Sequence, residues 1–144
     1  MRVRIGVDLV LVPHVREAWV RFGDRYLTRL FTENERAYCT DNLSRAGLSV
    51  DGQRETAAHA VSESQAVRTA ERLAVRFAAK EAVFKLIRSP GGISWKDIEV
   101  GRDGELALFG QALSLAQARG LGPMSVSLSH EGDYATAVVA ALEM

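Results

Sequence analysis

The sequence has a single cysteine, no long apolar run and no net charge, and each shortage narrows what the chain does. Cys39 alone cannot form an internal disulfide or a cysteine-rich metal site. It reads as a free structural thiol in a reducing compartment, since no histidine is nominated to activate it. Eighteen Lys and Arg balance eighteen Asp and Glu, so the basic excess that marks bulk nucleic-acid binding is missing. No stretch approaches the ~20 apolar residues of a membrane helix. The N-terminus lacks a basic segment leading into a hydrophobic one, so no signal peptide is read there. The expectation is a soluble, cytoplasmic protein with no nucleic-acid or membrane partner. There is also no Walker-type phosphate loop, dinucleotide fingerprint or nucleophile elbow, and no internal repeat.

What is present suffices for one domain over 1–144, with 47% hydrophobic residues to fill its core. Val3, Ile5, Val7 and Leu9 alternate with Arg4, Gly6 and Asp8, a strand pattern running to about Val10. Pro13 then turns the chain into a helix whose buried stripe is Val15, Trp19 and Phe22, with Arg16, Arg21 and Arg25 falling away from it. Thr32 and Glu35 fit a capping box for the next helix. Periodicity fades over about 40–69, read as a loop or lid with a short helix near Ala57 to Val61. A long helix follows from about Ser64 or Val67 to Ile87, stopped by Ser89-Pro90-Gly91-Gly92. Asp103-Gly104 marks a hairpin between Ile98–Val100 and Leu106–Phe109. A helix over Gly110–Arg119 precedes a second hairpin, Met124–Leu128 with Tyr134–Leu142. The order β-α-α-α-β-β-α-β-β is an α+β domain with an antiparallel sheet packed against a long helix.

Asp8 stands on the polar parity of the first strand, as a ligand for a hard cation or as an ordinary hydrogen-bonded or exposed aspartate. Glu81 and Lys85 lie one turn apart on one face of the long helix, embedded among Phe77, Ala78, Ala82, Val83 and Phe84. The spacing is that of a surface Glu-Lys ion pair, or, given those apolar neighbours, of a glutamate for a metal with a lysine one turn on for a phosphate, an arrangement that phosphoryl chemistry uses. Arg68, Arg72, Arg76 and Lys80 recur every four residues, a cationic ridge that is either a solvated face or a contact for something anionic. His130 closes Ser127-Leu128-Ser129-His130 at a strand end, as a cap to the turn or as a ligand contact.

These segments fall in one order. Ile5-Gly6-Val7-Asp8-Leu9-Val10 resembles the opening of the acyl-carrier-protein-synthase family of phosphopantetheinyl transferases. Phe31-Thr32-Glu33-Asn34-Glu35-Arg36-Ala37-Tyr38-Cys39 resembles its second helix, and Arg76-Phe77-Ala78-Ala79-Lys80-Glu81-Ala82 through Lys85 its signature. Trp95-Lys96-Asp97-Ile98-Glu99-Val100, Ser127-Leu128-Ser129-His130 and Tyr134-Ala135 complete the series. The likeness spans most of the chain outside about 40–69. The chain departs from the family's pattern in a longer segment there, in Ser89-Pro90-Gly91-Gly92, and in the missing proline after Gly104.

The resemblance implies an enzyme that moves 4′-phosphopantetheine from coenzyme A to a serine of an apo acyl carrier protein, releasing adenosine 3′,5′-bisphosphate. By that resemblance Asp8 and Glu81 hold Mg²⁺, Lys85 neutralises phosphate charge, and Asp8, Glu81 and Lys85 are the catalytic set. Arg76, Lys80, Gly91 and His130 join Lys85 in contacting the coenzyme A, His130 from the neighbouring subunit of a homotrimer. Arg16, Arg21 and Arg25 meet the acidic recognition helix of the carrier. Three groups stand as general base: a metal-held water, Glu81 and Lys85. The alternative is a non-catalytic relative of the same fold that binds coenzyme A or a carrier without transfer.

Overall fold

A computed structural model describes residues 1–45 and 62–144. β1 (Arg2–Leu11) is paired antiparallel with the last strand, β5 (Tyr134–Glu143), which pairs antiparallel with β4 (Leu121–Glu131), giving the order β1-β5-β4. The Asp103-Gly104 hairpin forms a separate two-stranded sheet, β2 (Ile98–Val100) with β3 (Leu106–Leu108). α6 (Gly110–Ala118) leads into β4. The α+β class and the antiparallel sheet follow the sequence pattern closely.

The helical half is more divided than the pattern suggests. α1 (Val12–Phe22) ends at Gly23, whose φ of 56° lies in the left-handed region and whose N–H bonds back to Trp19 O. α2 (Asp24–Leu30) then begins as a separate helix. This break corrects two expectations. The buried stripe of α1 is Val12, Val15 and Trp19, while Phe22, the last residue of the helix, is 52% exposed although it is in phase with Val15. Arg25 belongs to α2 and not to the first helix. α3 (Glu33–Cys39) has both bonds of its expected capping box, Glu35 N–H to Thr32 Oγ1 and Thr32 N–H to Glu35 Oε1. α4 (Asp41–Arg45) and the start of α5 (Glu63–Ile87) fall within 40–69, so part of that stretch is helix. Ser62 and Gln65 form a second capping box there, which the sequence reading overlooked. The short helix expected near Ala57 to Val61 lies outside the described residues.

α5 crosses the inner face of the three-stranded sheet, small residue against small residue. Ala70, Ala74, Ala78, Ala79 and Ala82 are buried on the helix, and Ala135, Ala137, Val139 and Ala141 on β5. Gly6 is the tightest point: a Cβ there would stand 2.0 Å from the Ala82 carbonyl oxygen. Glycine in a strand interior marks such a close approach. Gly6→Ala is therefore expected to lower the thermal midpoint strongly, by at least the ~1–3 kcal/mol of ordinary overpacking, because backbone on both sides must separate. A midpoint within 2 °C of the parent, at roughly 2–4 °C per kcal/mol, would show that β1 does not rest on α5 as described.

The parity of β1 is unusual. Gly6, Asp8 and Val10 face α5, whereas Val3, Ile5, Val7 and Leu9 point away from the core and are 53–64% exposed. Tyr134, Val138 and Leu142 of β5 are exposed as well. An apolar run on both parities of a strand is the pattern of a strand buried on both faces. Within one chain only the inner face is covered.

Candidate active site

Asp8 and Gly6 share a face of β1, so the glycine that lets the strand touch α5 also brings Asp8 to that helix. The Lys85 ammonium donates to Asp8 Oδ1 at 2.8 Å and to the Val7 carbonyl at 3.0 Å. Thr136 Oγ1 on β5 donates to the Asp8 carbonyl at 2.8 Å, fixing the strand where the aspartate leaves it. Glu81 sits one helical turn before Lys85. Partial burial raises its pKa above the ordinary value, the Asp8 charge raises it further, and Lys85 opposes both. The structure thus assembles Asp8, Glu81 and Lys85 at one place, from a strand and a helix far apart in sequence.

Glu81, whose proton affinity the nearby Asp8 charge raises, forms with Asp8 a hard-oxygen donor pair. That pair fits Mg²⁺, a cation that keeps several waters and takes one or two carboxylates plus phosphate oxygens. No cluster of three or more His, Cys, Asp and Glu occurs among the described residues, so the protein would supply only part of the coordination shell.

An aromatic ledge flanks Glu81. Phe77 and Phe84 are its neighbours at i−4 and i+3, and Trp95 stacks on Phe77 at 5.2 Å and meets Phe84 edge-on at 4.7 Å. These half-buried rings limit water around the carboxylate, which is the burial that raises its pKa.

Lys80 and Arg76 require a correction, because both are interior. The Lys80 ammonium is fully buried, ion-paired at 2.6 Å to an equally buried Glu35, and donates to the Leu30 and Trp95 carbonyls at 2.8 and 3.0 Å. Its three protons are spent, and none remains for a phosphate. The second Glu35 oxygen accepts from Val100 N–H at 2.9 Å. Arg76 donates to the carbonyls of Val100, Gly101 and Arg72 and stacks over Tyr38. The cause lies in helix geometry: four residues advance 400°, so a ridge of period four drifts about 40° per step. Arg68 starts that ridge exposed, Arg72 is half-buried, and Arg76 and Lys80 have rotated into the core.

His130 stands elsewhere in the chain. Its Nδ1 lies 3.9 Å from Glu71 Oε1, and Glu71 precedes Glu81 by ten residues, about 15 Å along α5. His130, Arg68, Arg72, Arg102 and Tyr38 border a groove of about 390 Å³. Asp41 pairs with Arg72 and lies 3.6 Å from Arg102, so part of that positive charge is already met. Gly91 sits beyond the end of α5 with φ 110°, its backbone exposed and open on the Cα side. Arg21 and Arg25 are exposed and form no ion pair among the described residues, while Arg16 is held by Glu63 at 2.5 and 2.7 Å. Cys39 is free and buried, and burial pushes its thiol up to about 12, as suits an inert side chain.

Sequence reading missed Glu35 as the partner of Lys80 and Glu63 as the partner of Arg16, since neither pair has a local spacing. A single glycine among strand residues was the available signal for the contact at Gly6.

The arrangement has close relatives. A holo-[acyl-carrier-protein] synthase of Koribacter versatilis is 36% identical over 140 residues, covering 93% of this chain and 93% of its own. Another from Desulforudis audaxviator is 39% identical over 147 residues, covering 99% and 94%. Among solved structures, the ACPS–CoA complex of Chronobacterium ammoniagenes superposes with a TM-score of 0.71 at 29% identity, covering 100% of this chain and 99% of that one. The family model of the 4′-phosphopantetheinyl transferase superfamily matches residues 4–139, and the chain belongs to that superfamily.

Proposed function

We propose that the chain is a holo-[acyl-carrier-protein] synthase, transferring 4′-phosphopantetheine from coenzyme A to a serine of an apo acyl carrier protein. The observation that carries this reading is the meeting of Asp8, Glu81 and Lys85 at the contact of β1 with α5. In the reaction the serine oxygen forms a bond to the β-phosphorus of coenzyme A. The bond from that phosphorus to the bridging oxygen breaks, the serine proton passes to a base, and adenosine 3′,5′-bisphosphate departs.

Asp8 and Glu81 would hold Mg²⁺ together with pyrophosphate oxygens. When bound, the cation offsets the like-sign repulsion that keeps a nucleophile from a charged diester and aligns the oxygens. Lys85, 55% exposed at its side chain, presents protons at the same spot and stabilises charge building on the leaving nucleotide. Its two contacts are both acceptors, Asp8 and a carbonyl, so it serves as donor and counter-charge. Gly91 offers backbone past the end of α5 for a further phosphate contact. Product identity tests the reaction class: chromatography is expected to show adenosine 3′,5′-bisphosphate, and release of free coenzyme A would instead mean acyl transfer.

The same reading includes a homotrimer with sites between subunits. Two observations support it: the uncovered apolar face of β1 and β5, and the distance of His130 from the Asp8–Glu81 pair in one chain. A neighbouring copy laid on that face would bury it and could bring its own His130 and Arg68 groove to the coenzyme A phosphates. Ile5→Glu combined with Val7→Glu is expected to give monomers in analytical ultracentrifugation, with transfer lost. A trimer that survives both changes would place the interface elsewhere.

We place the protein in the cytoplasm, consistent with its one reduced, buried thiol. No helix among the described residues is long and apolar enough to cross a membrane. Carrier docking is assigned to Arg16, Arg21 and Arg25, basic residues beside the exposed apolar side chains Val20 and Phe22. An acidic amphipathic helix complements such a strip in both charge and surface.

A further inference from the structure

Three arginines are assigned to the docking strip, and the structure does not leave them equally available. Arg21 packs its guanidinium over the Phe22 ring at 5.2 Å, and Arg25 is open to solvent. Neither has a carboxylate partner among the described residues. Arg16 is closed: both of its terminal nitrogens are committed, Nη1 to Glu63 Oε1 at 2.5 Å and Nη2 to Glu63 Oε2 at 2.7 Å. This is the fork-on-fork pairing in which a guanidinium is bidentate to one carboxylate at a time. The contact crosses from the second turn of α1 to the first residue of α5.

The pair lies at the surface. The side chain of Glu63 is 76% exposed and that of Arg16 34%. Arg16 stands one turn before Val20, so it shares the side of α1 from which that exposed apolar residue projects. A carboxylate on an incoming helix would meet the same fork from the same solvent side.

We propose that Glu63 is an internal competitor for Arg16, occupying the guanidinium fork that a carrier-protein carboxylate takes on docking, and so sets carrier affinity. This rests on the reading that α1 and the start of α2 form the docking face. Docking then exchanges one bidentate pair for another, and Arg16 contributes only the difference between them. A carrier gains from Arg16 only if it places an acidic residue well enough to displace Glu63. Carriers lacking that residue keep the contacts to Arg21 and Arg25 alone. Glu63 thereby acts as a specificity-determining residue, although it lies in another helix and contacts neither coenzyme A nor the metal carboxylates. Exposed ion pairs are weak, so the exchange is easy and the expected effect is modest.

The test is an anisotropy titration of the full-length chain against fluorescently labelled apo acyl carrier protein, with coenzyme A KM measured in parallel. Glu63→Gln is expected to tighten carrier binding by about two- to five-fold, the scale of an exposed pair. The KM for coenzyme A should not move. Arg16→Gln should weaken carrier binding, and in that background Glu63→Gln should have no further effect, because the fork it guards is gone. The thermal midpoint checks that the pair is not simply a staple between α1 and α5. If Arg16→Gln weakens binding while Glu63→Gln leaves it unchanged or weakens it too, Glu63 orients Arg16 and the competitor role is overturned, with docking intact. If Arg16→Gln and the double reversal Arg21→Glu, Arg25→Glu all leave carrier binding unchanged, the docking face is wrong and the inference falls with it.

Discussion

Glu81→Gln is expected to remove nearly all transfer, by about 10²–10³ in kcat/KM, and to leave the fold intact. The magnitude follows from losing one of the two protein carboxylates proposed to hold a charge-neutralising cation, a contribution of several kcal/mol to the transition state. The fold survives because the substitution relieves a repulsion and opens no void. Glu81 has its pKa raised by burial and by the Asp8 charge, so the folded chain holds that proton more tightly than the unfolded chain does. Between the ordinary value of 4.5 and the raised one the folded state binds more protons, and stability falls as pH rises through that window. In EDTA at neutral pH the variant should therefore melt at or above the parent temperature. Near-normal turnover would remove Glu81 from the metal site. A melting temperature several degrees below the parent would mean that the carboxylate holds the fold together.

The second large effect is on stability. Lys80→Met should destabilise the chain by about 3–5 kcal/mol, because it strands a buried Glu35 without its counter-charge and leaves two carbonyls without a donor. At roughly 2–4 °C per kcal/mol for a chain of this size, the melting temperature drops by on the order of 10 °C. Adding Glu35→Gln to Lys80→Met should recover part of the loss, since the neutral amide can still accept from Val100 or Thr32. If Lys80→Met melted like the parent but raised KM for coenzyme A, the lysine would be a phosphate ligand as its sequence position suggested.

Lys80 shows where sequence reading ran out. A lysine beside Glu81 in a helix reads as a second cation for the same ligand. Neighbours in a helix, however, stand 100° apart, so one points to the site and the other to the core. The partner that holds Lys80 inside is 45 positions away and advertised itself only as a capping residue. Helix boundaries and hairpins were legible because their signals are local: Thr32 with Glu35, Asp103-Gly104, and the stop after Ile87. The division at Gly23 was not, since a lone glycine at a helix end differs little from one inside it. Asp8 alone is a weak signal and Glu81 with Lys85 a stronger one at helical spacing; the resemblance to the family's motif order is what joins the strand residue to the helix pair. The reversed parity of β1 was hidden for a physical reason. Alternation says that two faces differ but not which one meets the core, and here the apolar face is the one pointing away from it.

Phosphopantetheine transfer is tested most directly by intact-mass spectrometry of an apo acyl carrier protein incubated with the chain and coenzyme A, in Mg²⁺ and in EDTA. The expected result is a gain of one phosphopantetheine mass in Mg²⁺ and none in EDTA, with Glu81→Gln showing almost none in either. No gain with carriers from several biosynthetic systems would contradict the transferase reading and leave a protein of this fold that binds without transfer. A full gain in EDTA would contradict the role given to Asp8 and Glu81.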